Sequence, residues 1–279
     1  MANEVATKPA KPLDRLKLAL STESVRAQFQ NALKDNAGPF IASIIDLYGS
    51  DRNLQECEPS AVIMEALKAA TLKLPINKQL GFAYIVPYRS KGQAIPQFQI
   101  GYKGYIQLAM RTGQYRYLNA DMVYEGMTVV RNHLTGEMTF TGEPTSSKPV
   151  GYFCYMELLN GFSKVVYMTR DEIVEHAKRY SKSWGRDSSA WSTNFDEMAL
   201  KTVARRLLSK YGILSTEMVT ALSITRDEED AEEEAEREVA SQANGEIIDV
   251  QATSVDAPEA GGQNGQPQPQ QASLEGPGF

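Results

Sequence analysis

The chain is expected to fold as an α+β protein: an antiparallel sheet with helices packed around it, a helical N-terminal lobe and a disordered acidic C-terminal tail. Three observations predict this. Apolar residues recur at helical spacing as far as about Leu72 and again from Thr169 onward. Between those regions, runs rich in aromatic and β-branched residues alternate with turn-forming clusters. Beyond Arg226 the sequence becomes acidic, then rich in Gly, Gln and Pro, with little to bury. With 279 residues and 42% hydrophobic content, the chain can bury a substantial core as one large domain or two small ones.

Residues 1–12 carry Lys, Pro and Ala without periodicity and read as a disordered arm. Ser24 is placed to cap a helix with Val25, Phe29, Ala32 and Leu33 on one face; Gly38 would stop it, and Pro39 would open the next through Ile41, Ile44, Ile45 and Tyr48. A third helix is expected from about Pro59 to Leu72. FAYIVPY and IPQFQI, joined by RSKGQA, read as a hairpin. GYKGYIQLAMRTG returns to helical spacing, with Tyr102 and Tyr105 assigned to the core. Tyr115 to Met168 reads as four or five antiparallel strands broken at LTGE, GEPTSSKP and LNGF. Thr169 and Glu172 form a capping-box signature for a helix through Tyr180. SKSWGRDSSAW is too rich in Ser, Gly and Asp to continue it and reads as a loop carrying Trp184 and Trp191, either anchoring the loop or facing a ligand.

The stretch from Ser192 to Gly212 states both a structure and a chemistry. Ser192, Thr193 and Asn194 suit an N-cap, Asp196 and Glu197 sit in the first turn, and Gly212 follows where a C-terminal glycine would. At about 100° per residue, Leu200, Val203, Ala204, Leu207, Leu208 and Tyr211 share one face, and Lys201, Arg205, Arg206 and Lys210 the other. Phe195 and Met198 fall among the cations. Such a surface suits single-stranded nucleic acid, because cations track phosphates and a ring offers its π-face to any base. The plainer alternative is a solvated basic face.

Charge distribution bears on that choice. The net charge is −6, but of 29 Lys and Arg and 35 Asp and Glu, only 2 and 14 respectively lie from Arg226 on, so the body holds 27 bases against 21 acids, a balance of +6. From Lys178 to Lys210 there are 8 bases and 3 acids. Two cysteines, Cys57 and Cys154, are too few for a disulfide framework and read as small buried hydrophobes. With no apolar run of about 18 residues and no signal-peptide pattern at the N-terminus, a cytoplasmic location away from membranes is expected.

The chemistry missing from the sequence favours binding over catalysis. No GxxxxGK[ST] loop is present to cradle nucleotide phosphates, and GYKGY has the wrong spacing. Body carboxylates are scattered, and neither His133 nor His176 stands at a metal-ligand or acid–base spacing.

LGFAYIVPY, FQIGYKGYIQLAMRTGQY, MTRDEIVEHAKRYSKS and WSTNFDEMALKTVARRLLSKY together resemble the RecT family of phage and prophage single-strand annealing proteins, across roughly Leu80 to Tyr211. The resemblance implies that residues 13–225 form a DNA-binding and annealing core, with 226–279 as a tail. It implies a protein that coats single-stranded DNA exposed by a partner exonuclease, assembles into rings or helical filaments, and anneals complementary strands into duplex without ATP or any catalytic residue. Host single-strand-binding protein is a further implied partner. The family's DNA-binding role falls here first on Lys201, Arg205 and Arg206, with Lys210 beside them; on Lys103 and Arg111 as an opposite wall; and then on Lys178, Arg179 and Lys182. Phe195 is the implied stacking or wedging side chain, with Tyr180, Trp184 and Met198 behind it. A metal-dependent single-strand nuclease and an RNA chaperone using the same groove are the alternatives.

Overall fold

The N-terminal lobe owes its form to four amphipathic helices that bury one stripe each. In the computed structural model, which describes residues 11–224 apart from 91, 182 and 188, these are α1 (Pro12–Ser21), α2 (Glu23–Leu33), α3 (Ala37–Ser50) and α4 (Pro59–Thr71). The expected arm at residues 1–12 and tail at 226–279 lie almost wholly outside the described residues. Two punctuation marks differ from expectation. Thr22, not Ser24, precedes α2, and Gly38 lies inside α3 instead of ending α2. The break falls at Lys34, whose φ of +53° leaves the right-handed helical region.

A hairpin follows, β1 (Ala83–Ser90) against β2 (Gln93–Ile100), in register from Ala83↔Ile100 to Ser90↔Gln93. Glu65 of α4 accepts the Phe98 N–H at 2.8 Å and so fastens β2 to the lobe. Helix α5 (Tyr102–Met110) then lies close to the approach to β1. Glycine permits this: a Cβ at Gly101 would sit 2.2 Å from the Gly81 carbonyl oxygen, and one at Gly104 would sit 2.2 Å from that of Phe82. The two glycines of GYKGY are there for close approach, not for phosphate.

The expected strands between Tyr115 and Met168 are five. β3 (Tyr115–Tyr124), β6 (Pro149–Leu158) and β7 (Ser163–Thr169) form one antiparallel sheet in the order β3-β6-β7. β4 (Thr128–Arg131) and β5 (Met138–Thr141) form a separate hairpin. Its Phe140 packs on Phe153 and Tyr167, at centroid distances of 4.6 and 6.2 Å, so it covers part of one sheet face. The other face, with Tyr152, Cys154, Met156 and Met168, is buried under α6 (Arg170–Tyr180) and α8 (Phe195–Tyr211). Helix α9 (Thr216–Ile224) returns to the first core. The architecture is α+β, with antiparallel sheets and helices around them.

Two hydrophobic cores meet at α8. Leu208 belongs to the core of the N-terminal lobe, while Ala199, Leu200, Val203, Ala204 and Leu207 belong to that of the three-stranded sheet. Cys57 and Cys154 are buried free thiols, as expected, and burial pushes the Cys154 thiol up to about 12.

Candidate nucleic-acid interface

A groove of about 1040 Å³ opens on the surface of the protein. It is lined by the hairpin and the start of α5, by Ser181, Ser183, Arg186 and Ser189, by the short helix α7 (Ala190–Thr193) and the first turns of α8, and by Asp51, Asn53, Glu56 and Lys78. Five cations line it (Lys78, Arg89, Lys103, Arg186 and Lys201) against three carboxylates, Asp51, Glu56 and Glu197. Two of the cations are paired: Lys78 with Asp51 at 2.8 Å and Arg89 with Glu56 at 2.5 Å. Among the described residues Lys103 and Arg186 make no ion pair, and both are exposed.

Aromatic rings share the groove with these charges. Tyr84, Tyr102 and Trp191 line the groove with Met198. Burial, then the charge of Glu197 and the proximity of Tyr102, hold the Tyr84 phenol above its ordinary value, so it keeps its proton and can donate a hydrogen bond. Lys103 Nζ lies 5.9 Å from the Tyr102 ring centroid.

The sequence-derived residues separate into those that the fold gathers at the groove and those that it uses elsewhere. Lys103, Lys201 and Met198 are gathered there. The helix that presents Lys201 and Met198 is not the half-solvated one expected, because α8 is enclosed between the two cores: Lys201 is only 6% exposed and Arg205 9%. Lys201 Nζ donates to Gln99 Oε1 on β2 at 2.9 Å, which ties α8 to the hairpin. Arg206 and Lys210 are exposed; Arg206 Nη1 lies 3.6 Å from Met168 Sδ, and Lys210 lies 5.5 Å from the Tyr211 ring. Neither lines the groove. Gly212 is not a left-handed terminator, since its φ is −73°; a Cβ there would lie 2.5 Å from the Leu208 carbonyl oxygen.

Arg111 stands apart from the wall assigned to it. Its guanidinium donates to the Leu72 and Lys73 carbonyls at 2.7 and 2.9 Å, satisfying backbone acceptors at the end of α4. Lys178 and Arg179 are exposed in the last turn of α6, with Arg179 5.2 Å from the ring of Tyr180. Tyr180 itself is 8% exposed and packs on His176 at 4.8 Å, so its ring is core and not a platform. Lys182 lies outside the described residues.

Phe195 is half-buried in an aromatic chain. Its ring lies 5.8 Å from Trp191 and 6.1 Å from Tyr152, and the Arg170 guanidinium covers it at 4.2 Å. Trp184 continues the chain, edge-on to Trp191 at 6.0 Å. Beneath it, Tyr152 donates to Asp196, Arg170 Nη1 donates to Tyr152 Oη at 3.0 Å, and Arg170 pairs with Asp196 at 3.7 Å. Burial first, then the Asp196 carboxylate, raise the Tyr152 phenol well above its ordinary value. This cluster fixes the start of α8, the turn that also supplies Asn194, Glu197 and Met198 to the groove.

Among the described residues no three His, Cys, Asp or Glu side chains come together as metal ligands, and no helix is long and apolar enough to cross a membrane. Sequence reasoning passed over Arg186, Arg170, Tyr84 and Gln99. Arg186, between the two tryptophans in a basic stretch, carried a usable signal; Gln99 and Tyr84 carried none, because their place depends on tertiary pairing.

The family model described as RecT family matches residues 38–240, most of the chain and all of the groove. The chain belongs to the RecT family. An uncharacterized protein of Bacillus subtilis (strain 168), YqaK, is 44% identical over 248 residues, covering 88% of this chain and 82% of that one. Protein RecT of Escherichia coli (strain K12) is 31% identical over 181 residues, covering 63% of this chain and 66% of that one. RecT family membership supports a role in DNA recombination or annealing.

Proposed function

We propose that this protein binds single-stranded DNA along the groove and anneals it to a complementary strand without ATP, as an oligomer, a ring or a helical filament, in phage-type recombination. The observation that carries this reading is that the exposed cations Lys103 and Arg186, without an ion pair among the described residues, line one groove together with Tyr84, Tyr102 and Met198, in a chain of the RecT family. Duplex formation is downhill, with stacking worth about 1.4 kcal/mol per base-pair step. The protein need only remove kinetic obstacles: repulsion between two polyanions, hairpins within a strand, and bases that are not presented. Cations along a groove hold the backbone extended, and rings hold bases apart from one another. Its substrate is a strand exposed by a partner exonuclease and contested by the host single-strand-binding protein.

Annealing of two labelled complementary oligonucleotides at low salt, with no nucleotide present, tests the reading. Pairing is expected to accelerate, and Lys103→Ala with Arg186→Ala is expected to slow it. That double variant is also expected to reduce the slope of log K against log salt by about 1.4, at about 0.7 per single-strand phosphate released. No acceleration by the wild-type protein would overturn the proposal. Shortened strands with Mg²⁺ or Mn²⁺ would indicate the nuclease reading instead, and preference for RNA of the same sequence the chaperone reading.

A further inference from the structure

We propose that Lys78 and Arg89 are further phosphate ligands of the groove, held between encounters by two carboxylates that the strand displaces; this rests on the groove being the strand-binding site. Lys78 Nζ lies 2.8 Å from Asp51 Oδ2, and Arg89 Nη2 lies 2.5 Å from Glu56 Oε2. All four residues line the groove. In each pair the cation is the more exposed partner, 55% against 18% and 67% against 48%. The carboxylate of Asp51 is also anchored, since its Oδ1 accepts the N–H groups of Asn53 and Leu54.

Ion pairs this open to water contribute little to stability. Phosphate accepts hydrogen bonds from guanidinium as readily as carboxylate does. Exchanging Glu56 for a phosphate on Arg89 therefore costs little beyond the pair itself, while leaving Glu56 unpaired beside a polyanion. The carboxylates act as a built-in competitor: they lower affinity and keep the bound strand exchangeable. A protein that must surrender its strand to a complement needs that.

The test measures binding of a labelled oligo-dT across a salt series by full-length Glu56→Gln, Arg89→Gln and the double variant, with Glu58→Gln as control. Glu58 is 58% exposed, pairs with Arg15 at 2.8 Å and does not line the groove. Glu56→Gln is expected to bind several-fold tighter, and Arg89→Gln several-fold weaker with a salt slope smaller by about 0.7. The gain from Glu56→Gln is expected to shrink when Arg89 is absent, and Glu58→Gln to stay within about twofold of wild type. A gain of equal size without Arg89, or from Glu58→Gln, would report a general field effect and overturn the assignment. So would an unchanged Glu56→Gln. Lys103→Ala separates the two readings: if it alone weakens binding, the groove stands and this inference falls; if no variant moves binding, the groove reading falls first.

Discussion

At the scale of single residues, a cation's position in the sequence says less about its job than the acceptors it meets. Lys103 lies in the first turn of α5 and Arg111 at its C-cap, about two turns on, and the sequence reads both as one wall. Lys103 faces the groove, whereas Arg111 satisfies two carbonyls at the end of α4. Removing a charged donor from such acceptors costs on the order of 1–3 kcal/mol. Arg111→Ala is therefore expected to lower the urea midpoint while leaving the salt slope of strand binding nearly unchanged, and Lys103→Ala to do the reverse. An Arg111→Ala protein of wild-type stability with a flattened slope would restore Arg111 to the interface.

At the scale of elements, local signals were legible where the element's own residues decide the structure. The Thr169 capping box is formed as written, with Thr169 Oγ1 accepting the Glu172 N–H at 3.2 Å and Glu172 accepting the Thr169 N–H at 2.7 Å. The hairpin and the five strands were legible in the same way. The face of α8 was not, because periodicity assumes one buried side and α8 is packed from both. Long Lys and Arg stems can line such an enclosed helix, so Lys201 and Arg205 are buried where a wheel would expose them. Within the groove, the 51–56 segment offers a pH test. Burial would raise the Asp51 carboxyl, but hydrogen bonds from Lys78, Leu54 and Asn53 outweigh it and hold the group below its ordinary value. A carboxyl whose folded value is depressed adds stability above the unfolded value and loses it as pH falls through the folded one. Acid unfolding below about pH 4 is thus expected to be shallower in Asp51→Asn, which keeps an acceptor for the two N–H groups but gives up the charge. Identical acid limbs for the two proteins would show that the contact with Lys78 does not stabilise the fold.

At the scale of the whole molecule, the charge is divided along the chain: residues from Arg226 on carry −12 and the rest +6. Under the proposed function, an approaching strand is expected to meet the summed field of both. Fields between solvated charges decay over about 10 Å at 0.1 M salt and about 30 Å at 0.01 M, so any opposition by the acidic residues to the encounter is expected mainly at low ionic strength. Replacing the nine acids between residues 227 and 238 by Gln or Asn raises the net charge from −6 to +3 without shortening the chain. Stopped-flow association with an oligonucleotide is expected to be faster for that variant at low salt, by a factor within the roughly 10–10³ range of electrostatic steering. The advantage is expected to fade as salt approaches the physiological range, with the dissociation rate changed far less than the association rate. An advantage that persists undiminished at high salt cannot come from screened charge, and would mean that the acidic run acts through contacts rather than through its field.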